Sequence, residues 1–251
     1  MINIITNPFL KKRYFSDFSN EYIIKSNTSL SGAILLMFSL TVVSFVFFWI
    51  FSNELLINST PIAIENVKNF SFVSGVISFI IAFFAYYKPG LSPILAPLYA
   101  VFSGIFISGL SFAAEQKFPG IAMLTAEVTL TTFIIVYIGY KIGIIKVTQK
   151  FKSIVYSLIG IISFLYLLSF ILMLFNTTIP LIHEAGIGGV IWTFFIMATA
   201  SFHLAIDIDK VEKSNTNKGY ENWNLALGLM VSLIWLYFST LRFLSRIKSL
   251  K

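Results

Sequence analysis

Seven apolar runs, each closed by a polar or turn-forming break, limit what this chain can become more than any other feature. A helix of about 20 residues crosses a hydrocarbon core about 30 Å thick. The runs are Ser31–Ser52, Phe70–Tyr87, Ile94–Ala114, Pro119–Tyr140, Ser153–Phe175, Gly186–Ile206 and Asn222–Ile247. Lipid offers no partner to open backbone polar groups, so each run is expected to be a helix. The breaks carry turn chemistry: "KPGLSP" after the second run, "KFPG" after the third and "NTTIP" after the fifth. The expected fold is therefore all-α, a polytopic membrane protein built as a seven-transmembrane-helix bundle. Composition agrees. Hydrophobic residues make up 57% of the chain and charged residues 12%, against about 25% charged in ordinary soluble domains. Such a chain folded in water would expose large apolar patches.

The segment "MINIITNPFLKKRYFSDFSNEY" is polar and has no short apolar core before a small-residue site. It does not read as a cleavable signal, so the first run reads as a true span. The domain reading is a cytoplasmic N-terminal segment over 1–30, a seven-helix transmembrane domain over 31–247 and a short basic tail over 248–251. With the N-terminus in the cytoplasm, most of the 18 Lys and Arg fall on the inner side, including Lys11, Lys12, Arg13, Lys88, Lys141, Lys146, Lys150 and Lys152. That is the expected bias of cytoplasmic loops. Arg242, Arg246, Lys248 and Lys251 are the exception, since an odd number of spans puts them outside. The net charge of +7 is explained by these loops without nucleic acid. The chain has no cysteine, which excludes disulfides, thiolate metal sites and cysteine nucleophiles. Met1–Thr28 is long enough to be a recognition tail, so a membrane protease or another membrane protein is the alternative partner to the bilayer alone.

Ionisable groups inside a span are costly and point to function by default. In "SFHLAIDIDKVEK", Thr199, His203 and Asp207 recur every four residues and share a helix face. The opposite face, with Gly189, Thr193, Ser201 and Ala205, is small and suits close packing. Asp209, Lys210, Glu212 and Lys213 read as a solvated loop beyond the span, although Asp209 could add an oxygen to an ion site. The seventh run carries a matching stripe of Asn224, Gly228, Ser232 and Ser239. The expectation is that Asp207 reaches this last helix near Asn224, Gly228 or Ser232. Glu127, on the fourth run among Thr125, Thr129, Thr131 and Thr132, is a candidate proton relay if it faces the bundle interior. "HEAGIGG" begins like a zinc-protease motif but lacks its second histidine. Ser201 and His203 are two residues apart and point to different faces of a helix. No enzyme and no cofactor are expected.

Several segments together resemble the Bax inhibitor-1/YccA family in its bacterial branch. They are "NPFL", "KPGLSPILAPLYAVFSGIFIS", "FPGIAMLTAEVTLTTFIIVYIGYKIGIIKVTQKFK", the "DID" after the sixth run and "LIWLYFSTLRFL". The most specific is "YKIGIIKVTQKF". The resemblance implies a seven-helix fold with the last helix central, set in the bacterial cytoplasmic (inner) membrane. It also implies a pH-sensitive calcium or cation leak in some members, closed by a pair of aspartates on the sixth and last helices. Asp207 matches the first of these. Counting back from "TLRFL", the second position falls near Ser232, and this chain has no acid there. Other relatives are linked to a membrane-bound protease, as binders or slow substrates. For an ion site, Asp207, Asp209, Ser232 and Asn224 could offer oxygens to hard calcium, enough for a weak, transient site at most.

Overall fold

In a computed structural model the described residues are 28–57, 61–175, 186–214 and 219–250. Side chains are described from Thr28, apart from residues 55–57 and 61–64. Seven long helices follow one another: α1 Leu30–Ile57, α2 Pro61–Tyr87, α3 Ser92–Glu115, α4 Ile121–Lys141, α5 Gln149–Leu174, α6 Ile187–Glu212 and α7 Gly219–Lys248. A short 3-10 turn, Pro89–Leu91, leads into α3. All seven contain a window long and apolar enough to cross a membrane, and no strand occurs among the described residues. The fold class expected from the apolar runs is the one observed. Most of the N-terminal segment, and His183 and Glu184 of "HEAGIGG", lie outside the described residues.

The helix ends follow local chemistry. Glu115 folds back so that its carboxylate accepts the backbone N–H groups of Gly120 and Ala122, which caps the start of α4. Gly120 itself holds φ +80°, a left-handed conformation that suits glycine. At the other end of α4, Gly143 takes φ +78° and its N–H returns to the Tyr140 carbonyl at 3.1 Å. Thr148 then caps α5 by accepting the Phe151 N–H at 3.2 Å.

α7 is the central helix. It packs against α6, α3, α1 and α4, and 61% of its apolar window is buried, against 11% in α5. α5 leans chiefly on α6, and its outer face, with Phe164 and Phe170, is exposed as lipid-facing surface would be. The stripe Ala100, Gly104, Ser108 on α3 faces α1. A Cβ on Gly104 would stand 2.5 Å from the Thr41 carbonyl oxygen, and Ser108 donates to the Phe45 carbonyl at 2.8 Å. Small residues here set how closely two helices approach.

The largest departures from the expected runs are at α2 and α6. α2 begins at Pro61, well before Phe70, because Glu65, Asn66, Lys68 and Asn69 are good enough helix formers to continue a helix although they lower hydropathy. α6 continues past Ile206 to Glu212, so the segment expected as a loop is helix.

Candidate functional site

Leu204 through Asp209 are buried without interruption. A helix buried at six successive positions is surrounded on every side, and the end of α6 is enclosed by α7, α4 and α5. Asp207 and Asp209, two residues apart, point to opposite sides of their helix. Each therefore has its own surroundings.

Asp207 is 4% exposed and turns toward α7. Its Oδ1 accepts from the Lys210 ammonium at 2.7 Å. Its Oδ2 accepts the hydroxyl of Ser232, which is fully buried on the central helix. The same hydroxyl oxygen lies 2.8 Å from Nδ1 of His203, and that nitrogen is 3.5 Å from Asp207 Oδ2. The His203 ring meets the rings of Tyr156 on α5 and Trp235 on α7 edge to face.

Counting hydrogens fixes the logic of this niche. A serine hydroxyl has one hydrogen to give. While Ser232 gives it to an ionised Asp207, His203 must donate from Nδ1 to the serine oxygen. Reversing both bonds gives the other self-consistent arrangement. A protonated Asp207 then donates to Ser232, Ser232 donates to Nδ1, and the imidazole keeps its hydrogen on Nε2. From an imidazolium the second arrangement is reached by one proton passed through the hydroxyl, with no net uptake; from a neutral imidazole it is reached when Nε2 takes up a proton from solution and the Nδ1 hydrogen passes through Ser232 to Asp207. Serine hydrolases work differently: the imidazole stands between carboxylate and hydroxyl and uses both nitrogens. Here Nδ1 faces both groups, so the set is not arranged for nucleophilic attack.

Asp209 is 1% exposed and faces the other way. Lys213 lies 2.5 Å from its Oδ1, Lys152 lies 3.0 Å from its Oδ2, and the Tyr140 hydroxyl donates to Oδ1 at 3.1 Å. The Lys152 contact is an ion pair without hydrogen-bond alignment. The bond to Asp209 raises the Lys213 ammonium above the ordinary lysine value of 10.5. One turn beyond, Glu212 pairs with Lys141 at 2.8 Å. Tyr140, Lys141 and Lys152 all belong to "YKIGIIKVTQKF" or to the residue that follows it. That segment forms a collar of charge around the end of α6.

Of the residues singled out in the sequence, the structure brings together Asp207, His203 and Ser232. It places Asp209 beside them in a separate cluster. Two others are corrected. Asn224 is exposed, about 12 Å along α7 from Ser232 at 1.5 Å per residue, and offers no oxygen to Asp207. Glu127 is exposed on the outer face of α4, between the buried Thr125 and Thr129, and has no polar partner among the described residues. The threonines mark the inner face, and a residue midway between them must point outward. Thr199 is buried but spends its hydroxyl on the Phe195 carbonyl of its own helix at 2.9 Å. Sequence reasoning missed Lys152, Lys213 and Tyr140 as partners of Asp209, and only the strength of the motif that carries Lys152 and Tyr140 hinted at a shared task.

A family model described as Bax inhibitor 1 like matches residues 7–249, nearly the whole chain. No curated protein and no solved structure matches it significantly.

Proposed function

The chain belongs to the Bax inhibitor 1 like family, and on that premise we propose that it lets cations, calcium among them, leak across a bilayer under control of a proton shared between Asp207 and His203. The observation that carries this reading is the buried carboxylate of Asp207, linked through one serine hydroxyl to an imidazole at the contact of α6 with the central helix. A carboxylate in such a place is costly and is kept where it serves an ion or proton path.

The arrangement described is the closed one in this reading. Lys210 occupies the carboxylate from its own helix, and Ser232 ties it to α7. The charged and titratable groups around the niche are Asp207, His203 and Lys210 on α6 and Tyr156 on α5. α7 contributes the hydroxyl of Ser232 and the ring of Trp235. A passing cation displaces Lys210 and takes its place on Asp207. The donors beside it, one carboxylate and one hydroxyl, are fewer than the six to eight oxygens that hold calcium firmly, which suits transit. When the proton sits on Asp207, the negative charge that attracts the cation is gone and Lys210 repels it. Acidification adds a proton at Nε2 of a neutral His203 and so sends the Nδ1 hydrogen through Ser232 to Asp207, and flux falls.

The test is calcium flux into liposomes holding the folded protein, from about pH 8 to about pH 6, the range in which an imidazole changes charge. Wild type is expected to lose flux toward the acid end. Asp207→Asn is expected to remove most of that dependence, and Ser232→Asp, which restores a like-charge partner, to steepen it. No flux at any pH rejects the leak, and a wild-type profile from both variants removes this niche as its gate.

A further inference from the structure

At the end of the bundle away from Asp207, the geometry points to a binding site for one anionic phospholipid, with its phosphate on Arg242 and an acyl chain along the groove between α3 and α7. Arg242 stands about 15 Å along α7 from Ser232 at 1.5 Å per residue, outside the Asp207 niche, and neither proposal depends on the other.

Arg242 is held in place rather than loose. Its Nη1 donates to the Tyr166 hydroxyl at 2.8 Å. The guanidinium carbon lies 5.3 Å from the centre of the Tyr166 ring and 5.5 Å from that of Phe238. Two aromatic faces and one hydrogen bond fix the plane of the group. A guanidinium has five N–H donors, and among the described residues no carboxylate lies within ion-pair distance of Arg242. Glu115, the acid at the end of α3, is engaged in capping α4. A fixed cation in a span with no anionic partner among the described residues calls for an anion from outside.

Two cavities meet at this side chain. One of about 30 Å³ is walled by Tyr166, Thr193, Trp235 and Ser239 as well as Arg242, and matches the space of a water molecule. The other, about 250 Å³ and open-sided, is lined by Leu110, Ala114, Phe238 and Leu241, with Arg242 and Arg246 at its polar margin. An apolar floor beneath two guanidinium groups is the pattern of an amphiphile site. The planar fork of Arg242 suits two oxygens of a phosphate. Arg242 precedes the end of α7 at Lys248 by about 9 Å, a depth at which a lipid phosphate and the first carbons of its chain meet. A free phosphate ion would leave the apolar floor unused, so lipid is the favoured source.

The experiment is native mass spectrometry of the full chain in a neutral detergent, with dioleoyl phosphatidylglycerol and dioleoyl phosphatidylcholine supplied equally. Wild type is expected to retain one phosphatidylglycerol with about fivefold or greater preference, roughly the 1 kcal/mol that one charge-assisted contact difference represents. Arg242→Gln is expected to bring the preference close to one. Arg242→Lys, which keeps the charge and loses the fork, should retain part of it, and decides the matter if Arg242→Gln does not fold. Lys146→Gln, an exposed cation at the opposite end, should leave the preference intact. Equal retention of both lipids by wild type, or a preference that survives Arg242→Gln, overturns the proposal. Displacement of the lipid by inorganic phosphate at millimolar concentration overturns the lipid as the source.

Discussion

Asp207 and Asp209 sit two residues apart on one helix, equally buried, yet they are solvated by the protein in opposite ways. Asp209 has two ammonium groups and a phenol, drawn from the ends of α4, α5 and α6. Tyr140 and Lys213 donate to it and Lys152 pairs with it by charge alone, so its two cations hold it in one arrangement. Asp207 has one ammonium, from its own helix, and a hydroxyl that can turn round. That hydroxyl can accept as well as donate. Burial alone therefore says little about whether an acid will switch. The number of partners able to reverse their hydrogen bond says more.

The largest effect that would break this contrast comes from stripping Asp209. In Lys152→Met with Lys213→Met the carboxylate stays buried with only Tyr140. Removing the partners of a buried charge costs about 3–5 kcal/mol. Chemical unfolding in micelles should show a loss of that size, and a loss below about 1 kcal/mol would show that Asp209 does not depend on its collar.

Ser232→Ala should cost less, about 1–3 kcal/mol for leaving buried polar groups without a partner. Asp207 keeps Lys210, which limits the damage. The sharper readout is the pH profile of flux. With no hydroxyl between them, Asp207 and His203 are separated by the 3.5 Å of their present contact, and the two-step transfer is lost. A profile like that of wild type would show that the hydroxyl is a packing feature.

The bundle could be read from the chain because hydropathy is a local property and each span announces itself. The niche was partly legible for a similar reason: His203 and Asp207 share a face by simple periodicity, and counting back from "TLRFL" led to the neighbourhood of Ser232. The collar was not, because its pairs join Asp209 to residues 57 and 69 positions away, as Lys152 and Tyr140. Averaged hydropathy also stopped α6 at Ile206, since buried acids count as polar whether or not a lysine meets them. The misplacement of Glu127 has another origin. Five polar residues close in sequence suggested one cluster, although Thr125 and Thr129 define a face that Glu127 cannot share.

A smaller effect follows from Lys213. Its folded value is raised by the bond to Asp209. The stability it contributes is thus fully present below the ordinary lysine value of 10.5 and is lost as pH rises through the higher folded value. Thermal unfolding scanned into alkaline pH should drop less steeply in Lys213→Met than in wild type. Parallel curves would place the alkaline loss elsewhere.

The smallest effect is expected at Glu127, and it tests the contrast from outside. Both aspartates matter because the protein surrounds them. Glu127 is exposed on α4, and its helix neighbours Thr125 and Thr129 turn inward, away from it. Nothing in the fold is arranged around its charge. Glu127→Gln keeps shape and helix propensity and takes an ionisable group off the outer face of a span, so unfolding free energy should not fall. The pH profile of flux should be that of wild type. A profile displaced by this variant would mean that protons reach the bundle from the α4 surface, and that exposure, like burial, is a poor guide to which acid takes part.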